Sequence, residues 1–178
     1  RYGLVGSEMC IRDSFHAIQF SYNCYERFWL MEATAVWSED EIYDEINDHY
    51  RYMPSWFQNS AKPIDDESSH MYGSFIFFQY IDEHLGGYET IKNIWERSRS
   101  NANSVNDVSF TSINEALESV GSSFSGALNN MRIANRIMSS HPNADPFTYL
   151  EAESYPVTGP LEIAQLYFED QILSLIHI

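Results

Sequence analysis

Residues 15–37, FHAIQFSYNCYERFWLMEATAVW, constrain this chain more than any other stretch. Residues 15–21 read as the end of a helix. Residues 29–37 read as a second, with Trp29, Ala33 and Val36 on one face. His16 falls in the first and Glu32 in the second, with fifteen residues between them. A histidine and a carboxylate on consecutive helices can meet at one metal ion, provided the helices pack with those faces together.

The two ends bound what counts as native. Residues 1–14, RYGLVGSEMCIRDS, and residues 173–178, LSLIHI, resemble translated sequencing-adapter DNA, and such segments are excluded from fold reasoning. The expected organisation is therefore a non-native leader at 1–14, a helical lobe at 15–140, a linker or the start of a β region at 141–172, and a non-native tail at 173–178. The leader carries two basic and two acidic residues, so the formal charge of −16 does not depend on it. So acidic a chain is repelled by nucleic acid and by anionic membrane. No run approaches the 18 or so apolar residues of a membrane span. Cys10 lies in the leader, which leaves Cys24 alone and excludes an internal disulfide or a cysteine-rich zinc knuckle. At 44% hydrophobic and 15% aromatic, the composition supports a packed core.

Further along, Ser38 and Glu41 have the spacing of a capping box, which predicts a new helix from Ser38 to about Asn47. Pro54 and Pro63 mark 49–68 as an aromatic loop. Tyr72, Phe75, Phe78, Ile81 and Leu85 predict one long helix over 69–85, ended by Gly86 and Gly87. Residues 88–97 predict a helix and 98–107 a polar loop. Ser112 and Glu115 form a second capping box opening a short helix to Val120. Residues 124–138 predict the last helix, with Phe124, Leu128, Met131 and Ile137 on its stripe. Turn-forming stretches follow from Ser139, and 161–168 alternates loosely enough for a strand. The fold class is mainly α, with a possible short β segment at the C-terminal end.

A helical zinc peptidase places two histidines at i and i+4 so that both rings meet one metal, with a glutamate beside the first as general base. A carboxylate from the next helix completes the set and leaves one position for water. With His16 as second histidine, the first belongs at position 12 and the base at position 13. Arg12 and Asp13 stand there, inside the suspected leader.

The surroundings of His16 and Glu32 resemble the gluzincin metallopeptidases, the superfamily of thermolysin and aminopeptidase N. Phe15-His16-Ala17-Ile18-Gln19 resembles the end of their first zinc helix, especially in secreted bacterial members. Trp29-Leu30-Met31-Glu32-Ala33-Thr34-Ala35 resembles the aminopeptidase pattern W-L-N-E-G-x-A, with Met31 for its asparagine and Ala33 for its glycine. His70-Met71-Tyr72-Gly73, followed by Leu85-Gly86-Gly87, resembles the segment whose tyrosine polarises the scissile carbonyl. His70 stands at that tyrosine's position and Tyr72 is close by. The resemblance covers roughly residues 15–138. It implies the helical C-terminal lobe of a zinc peptidase truncated inside its first motif, with His16 and Glu32 as ligands of Zn2+ and His70 or Tyr72 as oxyanion donor. It further implies a peptide or protein substrate, and export to the periplasm or the cell exterior. Without the first histidine and the general base, the chain as given is expected to be inactive.

Other constellations are weaker. Glu67 and His70 have the Glu-x-x-His spacing of a di-iron bundle, but that site needs two such pairs and two further glutamates. The acidic runs at 38–41 and 65–67 lack the Asp/Gly pattern of an EF-hand. The alternative to a peptidase is a helical binding or scaffolding module of a larger surface protein, in which His16 and Glu32 need not converge.

Overall fold

A helix that is apolar on every side must be surrounded by protein. Between Trp29 and Asp40 only Glu32 is not buried. The computed structural model, which describes residues 7–43, 45, 47–101 and 108–161, accordingly packs the helices Ser7–Tyr22, His70–Gly73 and Phe75–His84 against this one. Helices α1 (Ser7–Tyr22), α2 (Phe28–Ile42), α3 (Met53–Gln58), α4 (His70–Gly73), α5 (Phe75–His84), α6 (Tyr88–Asn101), α7 (Val108–Glu118) and α8 (Phe124–Ile137) follow in order. Short 3-10 turns occur at Asp48–Tyr52 and Pro142–Ala144. The fold is mainly α, and no strand occurs among the described residues. The strand expected over 161–168 lies, beyond Leu161, outside them.

Helices α1, α4 and α5 pack on α2, α6 pairs with α7, and α8 lies against α5 and α7. Trp29, Leu30, Val36, Phe75, Phe77, Phe78 and Ile81 are fully buried. Each such side chain stabilises the fold by about 1.5–3 kcal/mol relative to exposure. Trp29 packs on Phe78 and Phe110, which joins α2 to α5 and α7. Gly73 in α4 lies so close to Trp56 that an added Cβ would fall 2.5 Å from the Trp56 Cβ. That approach needs glycine.

Several boundaries differ from the sequence reading, each for a local reason. No helix starts at Ser38. Its hydroxyl donates back to the Ala35 carbonyl at 2.8 Å, and α2 runs through it to Ile42. Ser112 is likewise no cap but a buried residue inside α7. Part of the 49–68 loop is helical, because Pro54 sits in the first turn of α3, where its missing N–H costs nothing. The expected helix over 69–85 is broken at Ser74, whose hydroxyl donates to the Ile64 carbonyl at 2.9 Å. The helix expected to end at 97 continues to Asn101, and the rest of the expected polar loop, 102–107, lies outside the described residues. At the C-terminal side of α8 the chain turns back over α5. The Tyr149 hydroxyl donates to Asn135 Oδ1 at 2.6 Å, and the Leu150 N–H donates to Glu83 Oε2 at 3.0 Å.

The loop between α1 and α2 is fixed from below. Glu26 is buried and accepts hydrogen bonds from the hydroxyls of Ser98 in α6 and Ser109 in α7. Arg27, at the start of α2, donates to Asp65 at 2.8 Å and Glu67 at 3.1 Å. These contacts hold the two site-bearing helices and the approach to α4 in one frame.

Candidate metal centre between the first two helices

Position 16 on α1 and position 32 on α2 face each other. His16 Nε2 lies 3.7 Å from Glu32 Oε1, inside the roughly 5 Å that two ligands of one zinc require. Both side chains are about one-fifth exposed, at 19% and 20%, and open into a cleft of about 390 Å³. Ala17, Phe20, Phe28 and Met31 supply its apolar lining. Phe20 and Phe28 remain largely exposed there.

The orientation of the His16 ring follows from a residue to which the sequence reading gave no role. Gln19 is buried between α1 and α2. Its amide nitrogen donates to the Met31 carbonyl at 2.8 Å and to Thr34 Oγ1 at 2.9 Å. A carbonyl only accepts, so this end of the side chain must be the NH2 group. The other end, Oε1, is then an acceptor, 2.6 Å from His16 Nδ1. His16 therefore carries a proton on Nδ1 and, when neutral, directs the Nε2 lone pair toward Glu32. This is the outer hydrogen bond that orients a ligating imidazole. The i, i+3 spacing of His16 and Gln19 was the available signal; only the contact with α2 gives it meaning. The interaction with Glu32 raises the His16 pKa against the opposing effect of burial.

One turn before His16, Arg12 points to the same side. Its Nε donates to Glu39 Oε1 at 2.7 Å, and its guanidinium lies over the rings of Tyr52 and Tyr72 at 5.9 and 5.7 Å. Burial opposes its charge, but the bonds to Glu39 and Tyr52 outweigh it and hold the guanidinium protonated. A guanidinium is no zinc ligand, so the residue at this position does not fit the metal, whereas His16 and Glu32 do. Asp13, beside it, lines the cleft.

The two oxyanion candidates separate. Tyr72 stacks on Tyr52 at 5.0 Å beside Arg12. Burial raises its pKa first and the Glu32 carboxylate raises it further. His70 instead lies flat on Trp56 at 5.4 Å, buried, and burial lowers its pKa. His70 Nε2 has no hydrogen-bond partner among the described residues. Glu67, the other member of the Glu-x-x-His spacing, bonds to Arg27 at 3.1 Å.

No helix among the described residues is long and apolar enough to cross a membrane. No protein-family model, curated protein or solved structure matches this chain.

Proposed function

We propose that this chain carries the helical lobe of an exported zinc metallopeptidase, with His16 and Glu32 as two of its three protein ligands. The observation that carries this reading is the Gln19-held imidazole, whose Nε2 meets Glu32 Oε1 at 3.7 Å beside an open, partly apolar cleft. Arg12 and Asp13 stand where the first histidine and the general base belong, so the chain with these residues does not hydrolyse peptides. Export is supported by the acidic charge and by the resemblance to secreted peptidases.

With a histidine at position 12, His16 and Glu32 would help hold a zinc ion, which would supply Lewis acidity for hydrolysis near neutral pH. The remaining roles fall to the chain. Gln19 keeps the His16 Nδ1 protonated and Nε2 available. Glu32 contributes negative charge from α2. A glutamate at position 13 would stand beside the ligand at position 12 as general base. The Tyr72 hydroxyl donates to the oxygen of the peptide carbonyl as it gains charge, and the apolar wall at Phe20 and Phe28 receives an adjoining side chain of the substrate.

The test is Arg12→His together with Asp13→Glu. The doubly substituted chain is expected to bind a zinc ion that Glu32→Gln removes and, joined to the N-terminal lobe of such a peptidase, to gain hydrolysis of a casein substrate. Adding Tyr72→Phe then leaves the zinc and slows turnover by roughly 10²–10³-fold, whereas His70→Ala leaves the rate per folded molecule near its starting value. A folded double variant with no Glu32-dependent zinc overturns the reading and favours the binding-module alternative.

A further inference from the structure

Two turns beyond Glu32, about 12 Å along the same helix, α2 ends in a second convergence that the peptidase reading does not use. Asp40 in its last turn, His49 in the 3-10 turn Asp48–Tyr52 and Glu151 in the C-terminal turns each offer one ligand atom, all within 4.8 Å of one another. We propose that Asp40, His49 and Glu151 bind a divalent metal ion of the zinc class, which pins the C-terminal turns to the end of α2.

Four features support the assignment. First, the ring of His49 is held before any ion arrives. It is 1% exposed and packs edge-on against Tyr50 at 4.5 Å and Phe75 at 4.9 Å, with Nε2 3.6 Å from Asp40 Oδ1. Second, Glu151 is oriented from behind, since the Tyr50 hydroxyl donates to its Oε2 at 2.8 Å. Such outer-shell bonds accompany ligating carboxylates. Third, the set brings one imidazole nitrogen together with two carboxylate oxygens, a mixed nitrogen–oxygen donor set of the kind that zinc takes. Fourth, Asp40 and His49 are buried while Glu151 is half-buried, which leaves a route of entry from solvent. The ligand atoms of a tetrahedral ion bound at 2.0–2.2 Å stand about 3.4 Å apart, so the three side chains close by about 1 Å. The imidazole nitrogen selects zinc-like ions over calcium or magnesium, which take oxygen.

The experiment uses the chain with Arg12 and Asp13 unchanged, in which the His16–Glu32 pair lacks a third ligand. It is stripped with chelator, dialysed against Zn2+ and analysed for zinc per chain, with melting followed in parallel. One zinc is expected in the original chain and in Glu32→Gln, and none in Glu151→Gln, whose side chain is half-buried and whose loss leaves the core intact. Asp40→Asn should also abolish binding, and Tyr50→Phe should weaken it roughly 10–100-fold. Added Zn2+ should raise the melting temperature of the original chain and not that of Glu151→Gln. A folded original chain without zinc overturns the proposal, as does zinc retained by Glu151→Gln or lost in Glu32→Gln. An equal rise in melting temperature with Ca2+ overturns the assignment to the zinc class.

Discussion

Gln19→Leu probes the contact from which the candidate site is built. The replacement has nearly the same shape and removes three hydrogen bonds at once: to the Met31 carbonyl, to Thr34 Oγ1 and from His16 Nδ1. At about 1 kcal/mol each the loss is ~3 kcal/mol, and the apolar leucine recovers roughly a third of it through burial. The net cost is therefore ~2 kcal/mol. The Met31 carbonyl lies inside α2, and Thr34 Oγ1 keeps its own bond to the Leu30 carbonyl at 2.7 Å, so neither adds a full penalty for an orphaned group. For a domain of this size ~2 kcal/mol lowers the melting temperature by roughly 4–8 °C. Two assays read the two halves of the argument. Thermal unfolding by circular dichroism gives the stability change, and nitrogen-15 NMR of the imidazole gives the tautomer. In the original chain Nδ1 should carry the proton of the neutral ring. In Gln19→Leu that preference should weaken or disappear. A melting temperature within 1 °C or so of the original, with the tautomer unchanged, refutes the role given to Gln19.

Arg12→Ala should destabilise the chain by about 2–4 kcal/mol, because it leaves the Glu39 carboxylate, 1% exposed, without its cation; denaturant unfolding measures this, and Arg12→Lys should recover only part of it, lacking the planar fork. Gly73→Ala should cost about 1–3 kcal/mol, since its Cβ meets Trp56 at 2.5 Å, and a paired Trp56→Leu should recover part of the loss in the same melt. Glu41 is exposed, but local desolvation and a hydrogen bond with Asp82 push it up to about 8. Between the ordinary carboxyl value and that one, the folded chain holds a proton that the unfolded chain has released, so stability falls as pH rises. Metal-free chain should melt lower at about pH 8 than at about pH 5, with Glu41→Gln flattening the dependence. Glu32→Gln should lower the His16 pKa toward its ordinary 6.5, seen in the proton NMR titration of the ring.

The helical class was legible in the sequence because apolar spacing alone sets it, and Phe75 and Phe78 are fully buried as that spacing requires. What the spacing misjudged were serines. Ser38 and Ser112 precede a glutamate by three residues, which is the signature of a helix start, yet both are buried within helices. A capping box is local, and the decision to continue a helix was made by packing partners far along the chain. The same holds at the site. His16 and Glu32 could be singled out because each sits in a recognisable context. Gln19 could not, since its role depends on the angle between α1 and α2. Glu151 was invisible for a stronger reason: its partners are His49 and Asp40, about a hundred residues away, and no period in the sequence links them.

Glu26 has a consequence for the order in which the molecule assembles. Helical chains fold fast because their contacts are local. Glu26 is an exception, bonded to hydroxyls 72 and 83 residues onward. Its carboxylate must lose water before those hydroxyls can replace it, and that exchange becomes favourable only once α6 and α7 have docked. The turn between α1 and α2 is thus expected to set late, after the barrier, and with it the approach of His16 to Glu32. Removal of the Ser98 hydroxyl should then leave the refolding rate nearly unchanged and speed unfolding instead. On that expectation the His16–Glu32 pair comes together only after α6 and α7 have docked, and parts when they leave.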